Sequence, residues 1–375
     1  MATFLTSLFG VLTVAGFAYQ LLAIALVRRF ACVPAVAGAP EPASLLKPLH
    51  GAEPRLAENL ASFLDQEWEA PVELLCGVQR ADDPARAMVA SLDPRAVEVR
   101  DPTPHGANAK VANLINIARR ARHDLLVLSD SDIAVGPDYL ATIAGTLAKP
   151  RVGAVTCLYR GRGDAGGWSR FAAAQIDYHF LPSVLVGIAV GLAKPCMGST
   201  IALRRTTFDA IGGFGRFADT LADDHAMGAA VRDLGLVVAI PPMLVTHACT
   251  ERSFAELWRH ELRWAVTVRN IDPAGFLGAL VTYPVVWALT VLLVAPKLGL
   301  LLLLVAILAR LGLKRAVDAV AGAPNIPNAL LPLRDILSFV VSVAAFFTRS
   351  VDWRGRALRM EAEGRVSARP ESVTR

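Results

Sequence analysis

The chain has 375 residues, of which 54% are hydrophobic and 19% charged, and its formal net charge is +5. A mean hydropathy of +0.44 is too high for an ordinary soluble enzyme. The charged residues concentrated between about residues 50 and 270 exclude a bundle made only of membrane helices. We therefore expect a water-facing domain carried on membrane segments. The scattered cysteines argue against a disulfide framework or a structural zinc site.

The first predicted element is a membrane anchor at residues 1–29. Residues 4–27 are almost wholly apolar, and a helix needs about 20 such residues to span a bilayer. Arg28 and Arg29 follow directly, whereas no basic residue precedes the segment. The positive-inside rule then places the rest of the water-facing chain in the cytoplasm. The basic residues beside apolar segments predict contact with an anionic inner-membrane surface, and not with nucleic acid.

An α/β domain with a mixed, mainly parallel sheet is predicted for residues 40–270, because short apolar runs alternate there with helical patterns. The predicted strands are "PVELLCGV", "AVEVR", "DLLVLSD", "VGAVTCLY", "STIALRR" and "LGLVVAIPP". The predicted helices lie at residues 55–66, 84–92, 107–120, 137–147, 168–181 and 223–234. Ligands of open α/β sheets bind at the carboxyl ends of the strands. Two of those ends carry acidic pairs, Asp82 with Asp83 and Asp130 with Asp132.

The pair in "LSDSDI" is a candidate metal site. Asp130 and Asp132 are separated by one residue and follow a buried strand. Two carboxylates at this spacing can reach one hard cation, and Mg²⁺ or Mn²⁺ would keep positions open for phosphate oxygens. A polar turn with no ligand is the alternative for an isolated pair of this kind.

Two further polar positions lie at predicted helix starts. Lys110 in "HGANAKVANL" could bind phosphate, or it could simply be solvated. Asp223 and Asp224 in "LADDHAMG" could cap the helix and interact with its dipole. Alternatively, one of these carboxylates could accept a proton from an incoming hydroxyl group.

The segment "SFAELWRHELRWAVTVR" is predicted to be a helix that carries His260, Arg263 and Trp264 on one face. One interpretation is a basic amphipathic helix at the bilayer surface with Trp264 as an anchor. The other is that Arg263 meets a diphosphate while Trp264 packs against the sugar or the acceptor.

The C-terminal part, residues 275–350, is predicted to hold membrane or interfacial helices, followed by a polar tail at residues 351–375. Residues 275–296 and 298–313 are apolar, and the basic residues Arg310, Lys314 and Arg315 are consistent with a return to the cytoplasm. The shorter apolar stretch at residues 336–347 could span, re-enter or lie in the interface.

Taken together and in this order, the motifs resemble a processive-type family of membrane glycosyltransferases with the GT-A fold. The resemblance is strongest to the ceramide glucosyltransferases and to their bacterial relatives associated with hopanoid biosynthesis. The matching motifs are "LKPLHGAE", "GVQRADDPA", "HGANAKVANL", "LSDSDI", "GAVTCLYRG", "LADDHAMG", "RHELRW" and "LLPLRDILSF".

The resemblance implies a role for each matching residue. Asp83, together with Asp82, would contact the nucleotide, and Lys110 would lie near it. Asp130 and Asp132 would hold a divalent cation on the diphosphate of a UDP-sugar, and Asp224 would be the general base. Arg263 and Trp264 match the family's (Q/R)xxRW motif, but His260 replaces its first residue, which favours the bacterial branch.

The implied enzyme is an inverting hexosyltransferase that moves N-acetylglucosamine or glucose from a UDP-sugar to a membrane lipid hydroxyl. A hopanoid polyol such as bacteriohopanetetrol is the expected acceptor, and a multi-pass protein of the bacterial inner membrane is the expected setting. A ceramide glucosyltransferase is the alternative, and a processive polysaccharide synthase is a more distant one. A membrane scaffold without enzyme activity would be expected to lack the acids, all of which are present.

Overall fold

Strands and helices alternate in the middle of the chain, and long helices flank them. The computed structural model describes residues 2–348, 350–353, 356–360 and 366–368. The strands are β1 (Ala43–Pro48), β2 (Val72–Val78), β3 (Ala96–Arg100), β4 (Leu125–Leu128), β5 (Ile133–Ala134), β6 (Val152–Val155), β7 (Leu158–Gly163), β8 (Ile201–Arg204), β9 (Val237–Ala239), β10 (Leu244–Cys249), β11 (Ser350–Trp353), β12 (Arg356–Met360) and β13 (Val366–Ala368). The α-helices are α1 (Ala2–Cys32), α2 (Leu56–Ser62), α3 (Ala85–Ala90), α4 (Ala109–Ala118), α5 (Tyr139–Leu147), α6 (Gly167–Gln175), α7 (Leu181–Ala189), α8 (Arg205–Ala210), α9 (Asp223–Asp233), α10 (Phe254–Ile271), α11 (Pro273–Ala279), α12 (Pro284–Val294), α13 (Pro296–Ala321) and α14 (Leu331–Phe347).

The chain divides into two compact units. The first, here called the α/β unit, comprises Pro34–Arg160, Pro195–Thr250 and Gly364–Arg375. The second, here called the helical unit, comprises Met1–Val33, Gly161–Lys194 and Glu251–Glu363. The domain limits expected from the sequence stay a prediction.

A seven-stranded sheet forms the centre of the α/β unit, in the order β3-β2-β1-β4-β8-β6-β9. Strand β1 is parallel to both β2 and β4, β2 is parallel to β3, and β6 is parallel to β9. Strand β8 is antiparallel to β4 and β6. Because β2, β1 and β4 run in the same direction, their carboxyl ends meet at one edge of the sheet.

Both faces of this sheet are buried, which explains the continuous apolar runs of its strands. Successive side chains point to opposite faces, so Leu45 and Leu74 pack in one core while Leu46, Leu75 and Leu126 pack in the other. Strands β1, β5 and β10 were not expected from the sequence. Strand β10 pairs antiparallel with β5, with His247 opposite Ile133.

The helical unit contains the segments that could cross a membrane. Four helices in the described residues are long and apolar enough to do so, Thr3–Cys32, Gly167–Ala189, Pro296–Ala321 and Asn328–Phe347. Pro273–Thr282 and Pro284–Val294 form a fifth candidate that is bent by 62°. A helix at residues 168–181 was expected within the α/β domain, whereas α6, a π-helix at Ile176–Phe180 and α7 form one continuous element here.

The basic cluster expected at the end of the second apolar segment is partly buried instead. Arg310 and Lys314 are each only 2% exposed, and α13 continues past them to Ala321. The predicted polar tail lies largely outside the described residues. Its described parts form the antiparallel pair β11 and β12, together with β13.

Candidate active site

The turn after β4 carries Asp130 and Asp132, and two other segments of the α/β unit hold its backbone. The Asp130 amide donates to the carbonyl oxygen of Gly198 at 3.0 Å, and the Asp132 carbonyl accepts from the amide of Ala248 at 2.7 Å. Both carboxylates are about one-third exposed, at 35% and 28% of their side chains. The turn is therefore fixed in the backbone while its acids remain accessible to a ligand.

Lys47 lies beneath this turn, at the buried end of β1. Its Nζ donates to Ser129 Oγ at 3.0 Å, to the Asp130 carbonyl at 2.7 Å and to the Ile133 carbonyl at 3.4 Å. Burial lowers the pKa of Lys47 to about 7, although the charges of Asp132 and Asp130 oppose that shift. The matching motif "LKPLHGAE" contains Lys47, but no role was predicted for this residue.

Lys110 is the cation that faces the acidic turn from α4. Asn108 caps this helix by accepting from the amides of Lys110 and Val111 at 3.0 and 3.2 Å, and so fixes where the helix begins. Lys110 Nζ lies 2.7 Å from Asp130 Oδ1 and 3.4 Å from Asp223 Oδ2. Burial alone would lower the pKa of Lys110, but the charges of these acids outweigh it and the pKa is raised.

Asp223 and Asp224 begin α9 and differ in their surroundings. Asp223 is 4% exposed, and burial raises its pKa to about 6, with Asp224 adding to the shift and Lys110 opposing it. Asp224 is half-buried and accepts from the His225 amide at 2.7 Å and from the Gly198 amide at 3.1 Å. Asp224 is therefore the oriented and accessible member of the pair.

Gly198 connects the two groups of acids. Its carbonyl accepts from the Asp130 amide, and its amide donates to Asp224. A Cβ atom at this position would stand 2.5 Å from Asp130 Oδ2 and 3.0 Å from Lys110 Nζ. The close approach of Asp130 and Lys110 to the backbone therefore requires a residue without a side chain here.

His247 on β10 is a further site residue that the sequence analysis missed. Its Nε2 lies 3.3 Å from Asp132 Oδ2, and its ring stacks on Tyr159 with the centroids 5.4 Å apart. The sequence around His247 does not indicate a site residue, because the contact between His247 and Asp132 depends on the pairing of β10 with β5.

The oxygen atoms of this cluster fit a hard divalent cation. Asp132 Oδ1 is buried and has no hydrogen-bond partner among the described residues, and an orphaned carboxylate oxygen of this kind is costly unless a ligand satisfies it. Within the same residues, no group of three or more His, Cys, Asp or Glu side chains is arranged to hold a metal ion. A cation here would therefore need further oxygen ligands from a substrate, as Mg²⁺ does at phosphate sites.

The acidic pair after β2 has a different environment. Asp83 is 7% exposed and accepts from the amides of Gly51, at 2.9 Å, and Ala85, at 2.9 Å. Asp82 instead pairs with Arg80 on the surface, at 2.6 Å. Strand β1 separates the ends of β2 and β4 in the sheet.

His260, Arg263 and Trp264 lie on α10 in the helical unit. The ring of His260 meets that of Trp264 edge-on at 4.5 Å, and its Nδ1 pairs with Glu251. The carbonyl of Arg263 accepts from Thr267 Oγ1 at 2.9 Å. The structure thus brings His260 and Trp264 together on one helix, whereas Asp130, Asp132, Lys110 and Asp224 form their own cluster in the α/β unit.

Comparison with known proteins assigns a fold and a family to this arrangement. A mannosyltransferase from Pyrobaculum calidifontis, solved with GDP-mannose and Mn²⁺, superposes with a TM-score of 0.52 at 19% identity, over 92% of this chain and 98% of that one. This likeness shows the fold, and the predicted GT-A class is confirmed.

Two relatives from Caenorhabditis elegans match part of the chain. Ceramide glucosyltransferase 1 is 27% identical over 216 residues, which are 56% of this chain and 45% of that protein. Ceramide glucosyltransferase 3 is 27% identical over 211 residues, which are 52% of this chain and 44% of that protein. The chain thus spans less than half the length of these curated relatives.

The family model for glycosyl transferase family 21 matches residues 8–366, which is nearly the whole chain. The match confirms the predicted enzyme class, a glycosyltransferase, and its resemblance to the ceramide glucosyltransferases. The chain belongs to glycosyl transferase family 21.

Proposed function

We propose that this protein transfers N-acetylglucosamine or glucose from a UDP-sugar to the hydroxyl group of a membrane lipid, with inversion at the anomeric carbon. The observation that carries the proposal is the cluster of Asp130, Lys110 and Asp224 around Gly198, with Asp132 on the same turn after β4 of a GT-A sheet. The candidate membrane helices of the same chain suit an acceptor that resides in a bilayer.

In this proposal, Asp224 removes the proton of the acceptor hydroxyl while that oxygen attacks the anomeric carbon and the bond to UDP breaks. Two backbone amides orient its carboxylate, and proton transfer to a positioned base contributes about 10² to 10⁴ in rate. Alignment of the two substrates within one site contributes further to the rate.

The diphosphate of the donor would be held by charges of opposite sign. Asp130 and Asp132 would hold a divalent cation, Mg²⁺ or Mn²⁺, which supplies charge neutralisation of the diphosphate when it is bound. Lys110, as a permanent cation beside Asp130, would lie near the same diphosphate. Asp83, with Asp82, would contact the nucleotide.

Residues of α10 would also take part in the reaction. We propose that Arg263 meets the negative charge that builds up on the departing UDP, that Trp264 packs against the sugar or the acceptor, and that His260 orients Trp264 through their ring contact. We also propose that the catalytic side faces the cytoplasm at the anionic surface of a bacterial inner membrane.

For the acceptor, we propose a hopanoid polyol such as bacteriohopanetetrol, because His260 departs from the first position of the (Q/R)xxRW motif. Ceramide is the second candidate, and the specific support for it is the similarity to two ceramide glucosyltransferases.

The experiment uses membranes that contain the full chain, labelled UDP-glucose or UDP-N-acetylglucosamine, and added ceramide, bacteriohopanetetrol or diacylglycerol. We expect one lipid glycoside, identified by mass spectrometry, whose anomeric proton shows by NMR a β linkage formed from the α-linked donor. The matched control is Asp224→Asn, which should bind the UDP-sugar but transfer it at least about 10²-fold more slowly.

Three results would count against the proposal. Absence of a glycolipid with every acceptor would contradict lipid transfer, and a growing polymer would identify a processive synthase. Near-normal transfer by Asp224→Asn would show that Asp224 is not the base.

A further inference from the structure

The motif "LLPLRDILSF" near the end of the chain has two adjacent charged residues buried in a helix that is otherwise largely apolar. Arg334 and Asp335 on α14 are 0% and 1% exposed. Neighbouring residues of an α-helix point about 100° apart, so the two side chains reach different parts of the helical unit.

Arg334 reaches α10. Its guanidinium forms a bidentate pair with Glu261, at 2.8 and 2.6 Å. The same group donates to Ser338 Oγ at 2.9 Å and to the Phe171 carbonyl at 3.1 Å, and it lies over the Phe171 ring at 5.0 Å. A bidentate pair between guanidinium and carboxylate groups is directional as well as strong, so it constrains both the position and the rotation of α10.

Asp335 reaches other helices of the unit. It accepts two hydrogen bonds from Arg310, at 2.8 and 2.7 Å, and lies 3.0 Å from His179. Arg310 also donates to Gln20 Oε1 at 3.2 Å, so this second network joins α1, α13 and α14. Among the described residues, none of the hydrogen bonds or ion pairs of Arg310 and Asp335 reaches α10, so this network serves as a control.

Glu261 lies close to Arg263 and Trp264 on α10. It lies two residues before Arg263 and three before Trp264, and its side chain is buried whereas theirs are partly exposed. The rotation of α10 about its axis decides where Arg263 and Trp264 point, and the bond between Glu261 and Arg334 sets that rotation against α14.

We propose that Arg334 is a positioning residue for sugar transfer, which acts by holding Glu261 and thereby directing Arg263 and Trp264. The inference depends on the proposed function only for the roles of those two residues. The rotational fixing of α10 stands on the contacts themselves.

The test compares Glu261→Gln with Asp335→Asn in the full chain, in detergent micelles. Both variants remove one charge from a buried pair, so both should unfold at a lower temperature. Only Glu261→Gln should increase hydrogen exchange of the backbone amides around His260 to Trp264. Only this variant should lower kcat per folded enzyme, by about 10²-fold as expected when a reacting group is misplaced, with a smaller change in KM for the donor.

Arg334→Lys is the conservative variant, because lysine keeps the charge but offers no planar fork to the carboxylate. The kcat of Arg334→Lys should lie between that of the wild type and that of Glu261→Gln. If Glu261→Gln does not fold, Arg334→Lys is compared with Asp335→Asn in its place.

Either of two results would overturn the proposal: unchanged exchange in α10, or equal losses of kcat in Glu261→Gln and Asp335→Asn. A wild-type protein that transfers no sugar would refute the proposed function, while the exchange experiment would still decide whether the pair fixes α10.

Discussion

Buried charged groups are fully paired around Arg310 in one unit of this protein and only partly paired around Asp132 in the other. In the helical unit, Arg310 and Asp335 satisfy each other, and the remaining donors of Arg310 reach Gln20 and the Tyr178 carbonyl. In the α/β unit, Lys110 is shared between Asp130 and Asp223, and Asp132 Oδ1 has no hydrogen-bond partner in the described part of the chain.

This difference in pairing distinguishes charged groups that stabilise the fold from charged groups that are suited to bind a ligand. A buried pair with satisfied hydrogen bonds is strongly destabilising to break, because the remaining charge is left uncompensated. An accessible cluster with excess negative charge instead favours the binding of a cation. Without a cation, repulsion among its carboxylates destabilises the fold. Substitutions at Arg310 or Asp335 should therefore act on stability, and those in the α/β cluster on ligand binding and rate.

The largest effect is expected for Asp335→Asn, which should lower the free energy of unfolding by about 3–5 kcal/mol, because Arg310 loses the charge that compensates it. The measurement is denaturant unfolding in detergent micelles. Sugar transfer per folded enzyme should stay close to that of the wild type. A variant as stable as the wild type would show that the network is not what holds these helices together.

Asp132→Asn should lower transfer by about 10²–10³-fold, or roughly 2.7–4 kcal/mol, because the predicted cation site loses a carboxylate. Activity measured against Mn²⁺ concentration should show the loss, while the unfolding temperature should change little or rise. Asp93→Asn is the control, since Asp93 is exposed and pairs with Arg95 in the same unit. Equal activity of the two variants would contradict the cation assignment.

Gly198→Ala should raise the cation concentration for half-maximal activity by about tenfold, which corresponds to about 1.4 kcal/mol. The added Cβ would displace Asp130 and Lys110. Gly215→Ala is the matched control, because a Cβ there meets nothing within 4 Å. If both variants behave alike, the close packing at Gly198 has no part in cation binding.

A further effect concerns pH and Asp223. Its pKa is raised by burial from an ordinary value of 3.8 to about 6, so the folded state binds more protons than the unfolded state between these values. Stability should therefore fall as the pH rises from about 4 to about 6 and stay level above that. Asp223→Asn should lack this fall, measured as the unfolding temperature across the same range. A parallel pH dependence in both proteins would exclude Asp223 as its source.

Much of the α/β unit could be predicted from local pattern. Apolar runs located β2, β3, β4 and β8, and the polar residues after β4 pointed to a ligand site. The predicted helix start at Asp223 and Asp224 agrees with the observed start of α9. Strand β1 was harder to predict, because its apolar run is short and contains Lys47.

The structure of the helical unit was less predictable, because hydropathy gives the length and composition of an apolar segment but not the residues that it contacts. Gly167–Ala189 has a mean hydropathy of 1.2, against 2.0 for the first helix, so the sequence analysis included part of it among the helices of the α/β domain. Arg310 was interpreted as part of a basic cluster where the chain returns to the cytoplasm, whereas Asp335, which lies 25 positions later, compensates its charge in the interior.

The sequence by itself determined the strand and helix pattern, the apolar segments, and the acids that follow β4 and begin α9, because these are properties of neighbouring residues. The tertiary structure decided which charges meet. Lys47 reaches the turn at Asp130 because β1 lies beside β4, His247 reaches Asp132 because β10 pairs with β5, and Arg334 reaches Glu261 because α14 packs on α10. Contacts between residues so far apart depend on strand order and helix packing, which a local pattern does not specify.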